Sequence, residues 1–312
     1  MEEKNITLIK QAWQVKTKRG KEIAFFIPGA KRYSNQFYTN SQESFVNISV
    51  TASACSCKCD HCGGKLLQTM VPATSSSQLM RVADNLHQMG SNGLLISGGA
   101  NLKGQVPLLS MIDGIKYAKD LGLKVVVHTG LLNEETAKAL KKAGVDRVLI
   151  DVIADESTIK SVYHLDMVPE DYALALQIAK DAELALAPHI VIGLHYGKIK
   201  GEYRALEMIK GVEPHALVLV VLTPQANTVM ENVELPDISQ VTDILAHTRI
   251  KFPHIPVNLG CARPYGLYKR ELEKMAVDCG LDGIAYPDES TFPYVGKKGL
   301  TFTISEECCS LI

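Results

Sequence analysis

The chain has 312 residues, of which 46% are hydrophobic and 21% are charged, and its mean hydropathy is +0.04. This balance is typical of a globular protein with enough apolar material for one large core. The 33 basic and 34 acidic residues nearly cancel, which predicts no nucleic-acid partner and no electrostatic attraction to membranes. The first residues are polar, and the longest apolar run, 216–222, is far shorter than the ~20 residues of a transmembrane helix. We therefore expect a cytoplasmic protein without membrane contact.

The predicted elements begin with a helical pattern at 6–15, followed by a loop-rich stretch through Pro28 and Gly29. From residue 45 onward, short β-branched runs alternate with amphipathic helical patterns. Asn133 precedes one of these helices as an N-cap. The predicted strands are 45–51, 93–97, 124–128, 147–153, 188–195, 216–222, 256–259 and 283–286, and the main helices between them are 76–89, 108–121, 133–143, 172–182 and 267–279.

This alternation predicts an α/β fold built from parallel βαβ units. The right-handed crossover rule then favours a (β/α) barrel, full or partial, over the alternative of an open, doubly wound sheet. No linker divides the chain, so we expect one barrel domain at 45–290, an N-terminal extension at 1–44, and a tail at 291–312 that folds over the active rim. Ligands of such folds bind beyond the carboxyl ends of the strands, which is where most of the chemically interesting residues fall.

Four of the eight cysteines lie within eight residues, after the first predicted strand. In a reducing compartment, clustered cysteines indicate metal ligands rather than disulfides. Cys55, Cys59 and Cys62 form a C-x-x-x-C-x-x-C loop, which suits three irons of a 4Fe–4S cluster and leaves the fourth iron free to chelate a small molecule. The alternative is a zinc site made by Cys57, Cys59, Cys62 and His61. If the cluster is correct, Cys57 is a spare buried thiol.

The cysteine loop resembles the signature of the radical S-adenosylmethionine (SAM) superfamily. His61 stands where this family usually has an aromatic residue beside the adenine, and Gly98 and Gly99 resemble the pair that holds the methionine amino group. The segment ending at Gly193 resembles the one that packs on adenine. Ala100 replaces the glutamate that often follows the glycine pair. The resemblance covers residues 45–290 and implies a 4Fe–4S cluster and SAM at the C-terminal rim of the strands.

The resemblance also implies a reaction. Electrons from a donor such as ferredoxin or flavodoxin would cleave SAM to methionine and a 5′-deoxyadenosyl radical, which abstracts hydrogen from a C–H bond. Asp151 lies where related enzymes bind the ribose hydroxyls or the substrate, although a helix-capping role is the alternative for the acidic residues of this segment. His128 and His195, at strand ends, either bind substrate or make local hydrogen bonds.

Within the superfamily, the segments 48–51, 97–99 and 259–264 are similar to biotin synthase-like proteins, including the archaeal-type two-protein lipoyl synthases. This similarity implies a sulfurtransferase that inserts sulfur into an acyl group on a lipoyl-domain-type substrate or into a small molecule, with a paralogous enzyme as partner. Cys261, Cys308 and Cys309 would then hold an auxiliary cluster as sulfur donor, unless the tail cysteines are spectators. Cys279 is expected to be a buried structural thiol.

Two other functions remain open at this stage. One is a radical SAM rearrangement or C–C bond reaction without a second cluster. The other is a non-catalytic iron–sulfur or zinc-binding protein. The extra thiol of Cys57 beside the three predicted ligands would favour this function.

Overall fold

The structure is a computed structural model, which describes residues 3–312, with side chains from residue 5 onward. Residues 1 and 2 of the predicted N-terminal extension lie outside this range. Within it the chain forms eleven strands and ten α-helices. The strands are β1 (Glu22–Phe26), β2 (Phe45–Ser49), β3 (Val71–Pro72), β4 (Gly93–Ser97), β5 (Lys124–His128), β6 (Arg147–Leu149), β7 (His189–Ile192), β8 (Leu217–Val221), β9 (Val257–Leu259), β10 (Gly283–Ala285) and β11 (Thr301–Ser305).

The helices alternate with these strands, and their ends follow the capping signals in the sequence. Asn133 caps α4 by accepting a hydrogen bond from the Thr136 amide, as predicted, and Gly144 ends the same helix in a left-handed conformation. The helices are α1 (Glu3–Arg19), α2 (Ser76–Gln88), α3 (Ile112–Asp120), α4 (Glu134–Ala143), α5 (Glu156–Tyr163), α6 (Pro169–Asp181), α7 (Glu202–Lys210), α8 (Ile238–Lys251), α9 (Gly266–Asp278) and α10 (Thr291–Lys297).

The named strands pair in parallel throughout, in the orders β3-β2-β4-β5-β6 and β11-β1-β10-β9-β8-β7. Parallel bridges between Val148 and Leu186 and between Asp151 and His189 join the two sheets. No ladder joins β3 to β11 within the described residues, so the barrel is partial. The predicted α/β class with a (β/α) barrel, full or partial, is confirmed.

Two strands, β1 and β11, lie in the segments that the sequence analysis assigns to the N-terminal extension and the tail. β1 is hydrogen-bonded between β10 and β11, and Phe25 of β1 packs against Phe292 and Phe302 with ring centroids 4.7 and 5.3 Å away. Both strands are short and are stabilised by each other, which is why a local pattern reveals neither of them. The two chain ends therefore extend the sheet.

The barrel interior is apolar at the amino end of several strands. The last residues of the chain pack into this region. Phe45 of β2 shares one buried cluster with Val126 and with Ala216, next to β8, which shows how far the sheet curves. Cys308 and Leu311 pack against this cluster. The sequence analysis expects the tail over the rim, whereas the structure places residues 308–311 inside the barrel.

Within the described residues, no helix combines the length and apolarity needed to cross a membrane.

Candidate functional site

The cysteine loop begins where β2 ends and lies against the end of β4. The Ser56 amide donates to the carbonyl of Ala100 at 3.0 Å, and the Gly99 amide donates to Thr51 Oγ1 at 2.7 Å. A Cβ on Gly99 would lie 2.5 Å from Cys55 Cα and 2.7 Å from Cys55 Cβ, closer than real Cβ atoms approach. Only glycine allows the loop to pack this closely on the strand end.

The four thiols of the loop share one small region. Cys57 and Cys59 are buried, and Cys55 and Cys62 are half-buried. Interaction with Cys59 lowers the pKa of the Cys62 thiol to about 4, while interaction with Cys57 and Cys62 raises the pKa of Cys59 itself. These contacts bring all three predicted cluster ligands together.

A cluster needs thiolates spread around its irons, one sulfur to each iron, rather than ligands converging on one point. In the described part of the chain, no three His, Cys, Asp or Glu side chains converge as closely as a single metal ion requires. The loop's thiols are neighbours in a row, and the loop is free of other metal-binding side chains except His61 and Asp60. The thiolate-rich donor set therefore fits an iron–sulfur cluster.

Cys57 lies against the segment that follows β4. Its Sγ donates to the Asn101 carbonyl at 3.3 Å and lies 3.8 Å from the Ala100 carbonyl. Hydrogen bonding by Cys55 acts to lower the pKa of Cys57, to about 3. Two carbonyl oxygens nevertheless face this sulfur, and only a protonated thiol satisfies them. This arrangement favours a structural thiol at Cys57.

The predicted SAM-binding residues surround the loop but differ in how free they are to contact a ligand. The His61 ring is tilted against Tyr163 at 5.3 Å, and its Nδ1 is buried without a partner among the described residues. Gly98 packs on Val50 and Thr51, next to Gly99. The Gly193 amide, in contrast, already donates to Glu202 Oε1 at 2.8 Å, and the residue is buried against Pro236, so its amide is not available to a ligand.

A polar group lies inside the barrel, below the cysteine loop. His128 Nε2 is 3.4 Å from Asp151 Oδ1, and the rings of His128 and His189 meet edge to face at 5.7 Å. Burial opposes both charges, but the pair stabilises them, because Asp151 raises the pKa of His128 and His128 lowers the pKa of Asp151 to about 2. Burial lowers the pKa of His189 to about 4.

Solvent reaches 25% of the His128 side chain and 31% of the Asp151 side chain, although protein surrounds both. The two side chains therefore line interior space and are free to bind a polar group of a ligand. His195 does not join them, because its Nδ1 lies 3.0 Å from Thr158 Oγ1, a local hydrogen bond.

The tail cysteines lie deep in the barrel. Asn258 Nδ2 donates to the Cys309 carbonyl at 2.7 Å, and Ser310 Oγ donates to Cys308 Sγ at 3.2 Å. Hydrogen bonding by Cys309 lowers the pKa of Cys308 to about 7. Cys261, in contrast, is exposed, whereas Cys309 is buried.

Three further polar or thiol side chains have defined structural roles. Cys279 is buried and donates to the Thr242 carbonyl at 3.7 Å, which agrees with a structural thiol. Arg263 forms a buried ion pair with Glu273 at 2.6 Å and is therefore not free to bind a ligand. Asp155 caps α5 by accepting from the Thr158 amide at 2.8 Å, as the capping alternative expects.

Asp60 is a site residue that the sequence analysis does not single out. It is buried between two predicted ligands, and its carboxylate contacts His164 and Tyr196 at 2.8 and 2.7 Å. Its position inside the cysteine motif is the only signal in the sequence, since both partners lie more than 100 residues away.

Residues 49–198 match the profile of the Radical SAM superfamily, and the chain belongs to this superfamily of enzymes. Such proteins use a 4Fe–4S cluster and SAM. Within the superfamily the chain is biotin synthase-like: biotin synthase from Geobacillus kaustophilus (strain HTA426) is 23% identical over 183 residues, covering 55% of this chain and 53% of that protein. The chain thus aligns with only about half the length of that relative.

Two solved structures show the same fold. Methylornithine synthase (PylB) superposes with a TM-score of 0.64 at 12% identity, covering 97% of this chain and 90% of that one. The FeFe-hydrogenase maturase HydG gives a TM-score of 0.68 at 16% identity, covering 99% and 71%. At these identities the likeness concerns the fold alone.

Proposed function

We propose that the protein cleaves SAM reductively and uses the resulting radical to abstract hydrogen from a substrate C–H bond. The observation that carries this proposal is the cysteine loop packed on Gly99, which holds Cys55, Cys59 and Cys62 together at the carboxyl end of the sheet. Membership of the radical SAM superfamily supports the same activity.

The residues around the loop have distinct roles in this proposal. Cys55, Cys59 and Cys62 hold the 4Fe–4S cluster, which when bound supplies the electron that breaks the carbon–sulfur bond of SAM. Gly98 and Gly99 let backbone groups approach the methionine part closely. His61 offers its ring, and its unpartnered Nδ1, to the adenine.

Asp151 and His128 orient a polar group of SAM or of the substrate. Their charges lie within the barrel, where low dielectric strengthens such contacts. Phe45 and Val126 belong to an apolar cluster of the barrel interior, and a bound substrate would displace the water that reaches His128 and Asp151.

Anaerobic reconstitution with iron and sulfide tests this proposal. We expect a brown protein that forms 5′-deoxyadenosine from SAM under dithionite. Cys59→Ala should lose both the colour and the product. Cys57→Ala is the matched control in the same loop and should retain both. Stoichiometric zinc without SAM cleavage would instead favour the non-catalytic alternative.

We further propose sulfur insertion as the reaction class, with an auxiliary cluster held by Cys261, Cys308 and Cys309. What supports it is that Cys309 is buried and that Cys308 packs against the apolar cluster inside the barrel, where a sulfur donor would be close to a substrate bound there. The substrate would be an acyl group on a lipoyl-domain-type protein or a smaller apolar acid, with ferredoxin or flavodoxin as electron donor, a paralogous partner enzyme and a cytoplasmic location.

Iron and sulfide counts separate the reaction classes. About eight irons per chain are expected if two 4Fe–4S clusters are present. Cys308→Ala should then remove only the auxiliary portion and leave SAM cleavage. About four irons in the wild type would exclude the auxiliary cluster and favour a rearrangement or C–C bond reaction.

A further inference from the structure

Asp60, a buried carboxylate inside the cysteine motif, is bound from several directions at once. Its Oδ1 lies 2.8 Å from His164 Nε2, and its Oδ2 accepts a hydrogen bond from the Tyr196 hydroxyl at 2.7 Å. Its amide donates to the Val162 carbonyl at 2.9 Å, and its carbonyl accepts from the Met230 amide at 3.3 Å. Three segments distant in sequence therefore fix this one residue.

Both side chains that bind the carboxylate come from strained backbone positions. His164 has φ of 56° and Tyr196 has φ of 50°, in the left-handed region that residues other than glycine rarely adopt. His164 ends α5 at a position where glycine is the usual choice. Strained residues tend to gather at functional sites, and here two of them, on separate loops, point at the same carboxylate.

The anchors divide the cysteine loop into two halves. Ser56 and Cys57 are bonded to residues 100 and 101, after β4. Asp60 is bonded instead to the last turn of α5 and to the loops after α5, β7 and β8. Lys58, with φ of 42°, lies between the halves. Asp60 is thus the anchor of the half that contains Cys59 and Cys62.

We propose that Asp60 is a positioning residue, which fixes Cys59 and Cys62 through His164 and Tyr196 and whose negative charge lowers the reduction potential of the cluster. This inference rests on the proposed cluster. A fixed negative charge in a buried setting opposes the arrival of an electron nearby, and charge and hydrogen bonding are known determinants of cluster potentials.

The reconstituted Asp60→Asn variant tests the charge. Asparagine keeps the shape and one acceptor oxygen but removes the charge, so we expect a midpoint potential less negative than that of the wild type in an EPR-monitored redox titration. Tyr196→Phe removes a hydrogen bond to the same carboxylate without removing a charge, so its potential should shift less than that of Asp60→Asn. Asp166→Asn removes an exposed carboxylate from the neighbouring segment and should keep the wild-type potential. A wild-type potential in Asp60→Asn would overturn the charge role.

Hydrogen–deuterium exchange in the cluster-free protein tests the positioning. We expect Asp60→Ala and Tyr196→Phe to speed exchange in residues 59–63 and to leave residues 55–57 protected. Unchanged exchange in a folded Asp60→Ala protein would overturn the positioning role. If Asp60→Ala does not fold, unchanged exchange of residues 59–63 in Tyr196→Phe would overturn it instead. A wild type that takes up no cluster would refute the proposed function and the redox half of this inference, while the exchange measurement would still decide the positioning half.

Discussion

Gly99 gives the sharpest test of how the cysteine loop is held. In a Gly99→Ala variant the new Cβ would lie 2.5 Å from Cys55 Cα and closer still to the Ala54 carbonyl oxygen, where real Cβ atoms stay beyond 3.0 Å. Because both obstacles are backbone atoms and the carbonyl oxygen lies about 1 Å inside that limit, the loop has to move by about 1 Å, twice the tolerance of about 0.5 Å expected for a functional constellation. The overpacking should destabilise the apo-protein by about 1–3 kcal/mol.

The displacement should be visible in function as well as in stability. A misplacement of 1 Å costs up to about 100-fold in rate, so we expect SAM cleavage to fall by about 10- to 100-fold and iron loading to fall with it. Liquid chromatography of 5′-deoxyadenosine, iron analysis and urea unfolding of the apo-protein measure the three effects.

Gly98→Ala is the matched control for the loop displacement. Its Cβ would meet only side-chain atoms of Val50 and Thr51, at 3.0–3.2 Å, so shifts of a few tenths of an ångström relieve it. We expect normal iron loading in this variant. Equal iron loss in both variants, or normal loading in Gly99→Ala, would refute the close-packing argument.

Three further predictions concern the rest of the molecule. Glu273→Gln breaks a fully buried ion pair with Arg263 and should lower the free energy of unfolding by about 3–5 kcal/mol in urea, whereas a loss below about 1 kcal/mol would contradict it. Burial acts to raise the pKa of Asp282, but Lys16 and Arg249 outweigh it and lower that pKa, so its contribution to stability is complete above about pH 4 and is lost as the pH falls further. Unfolding of Asp282→Asn should therefore show lower stability at pH 7 and a flatter acid limb than the wild type, and an unchanged acid limb would argue against this reasoning. Iodoacetamide under anaerobic conditions should label the exposed Cys261 of the folded apo-protein and reach the buried Cys279 only after unfolding, and labelling of Cys279 in the native state would contradict the described packing.

The alternation of apolar runs and helical patterns is enough to predict the fold and the end of the sheet at which the site lies. In parallel sheets the strand ends gather on one edge, so Cys55 after β2 and Gly99 after β4 are expected to meet before any contact is known. The contacts of Asp60 are beyond such reasoning, because they depend on loops that meet only in three dimensions. The same holds for β1, whose hydrogen bonds come from β10 and β11.

The tail shows the same limit in another form. Its two adjacent cysteines indicate a function, but nothing local indicates that the Cys309 carbonyl will bind Asn258 inside the barrel. Because the tail follows the last predicted strand of the barrel directly, the sequence suggests instead that it covers the site at the rim. Position in the interior changes what the thiols are able to do, because Cys309 is buried and Cys308 packs against an apolar cluster.

The two anchors of the cysteine loop lead to a final prediction about how the predicted ligands are held. Gly99 constrains the half that carries Cys55, whereas Tyr196, through Asp60, constrains the half that carries Cys59 and Cys62. Changes that act on independent contacts add in free energy, and changes that act on one rigid unit do not. If Lys58 separates the halves, the logarithmic losses of cluster lifetime against a chelator should add in a Gly99→Ala, Tyr196→Phe double variant. If the cluster lifetime of the double variant equals that of Gly99→Ala alone, the loop moves as one body. Displacement of its first half then already displaces the second half.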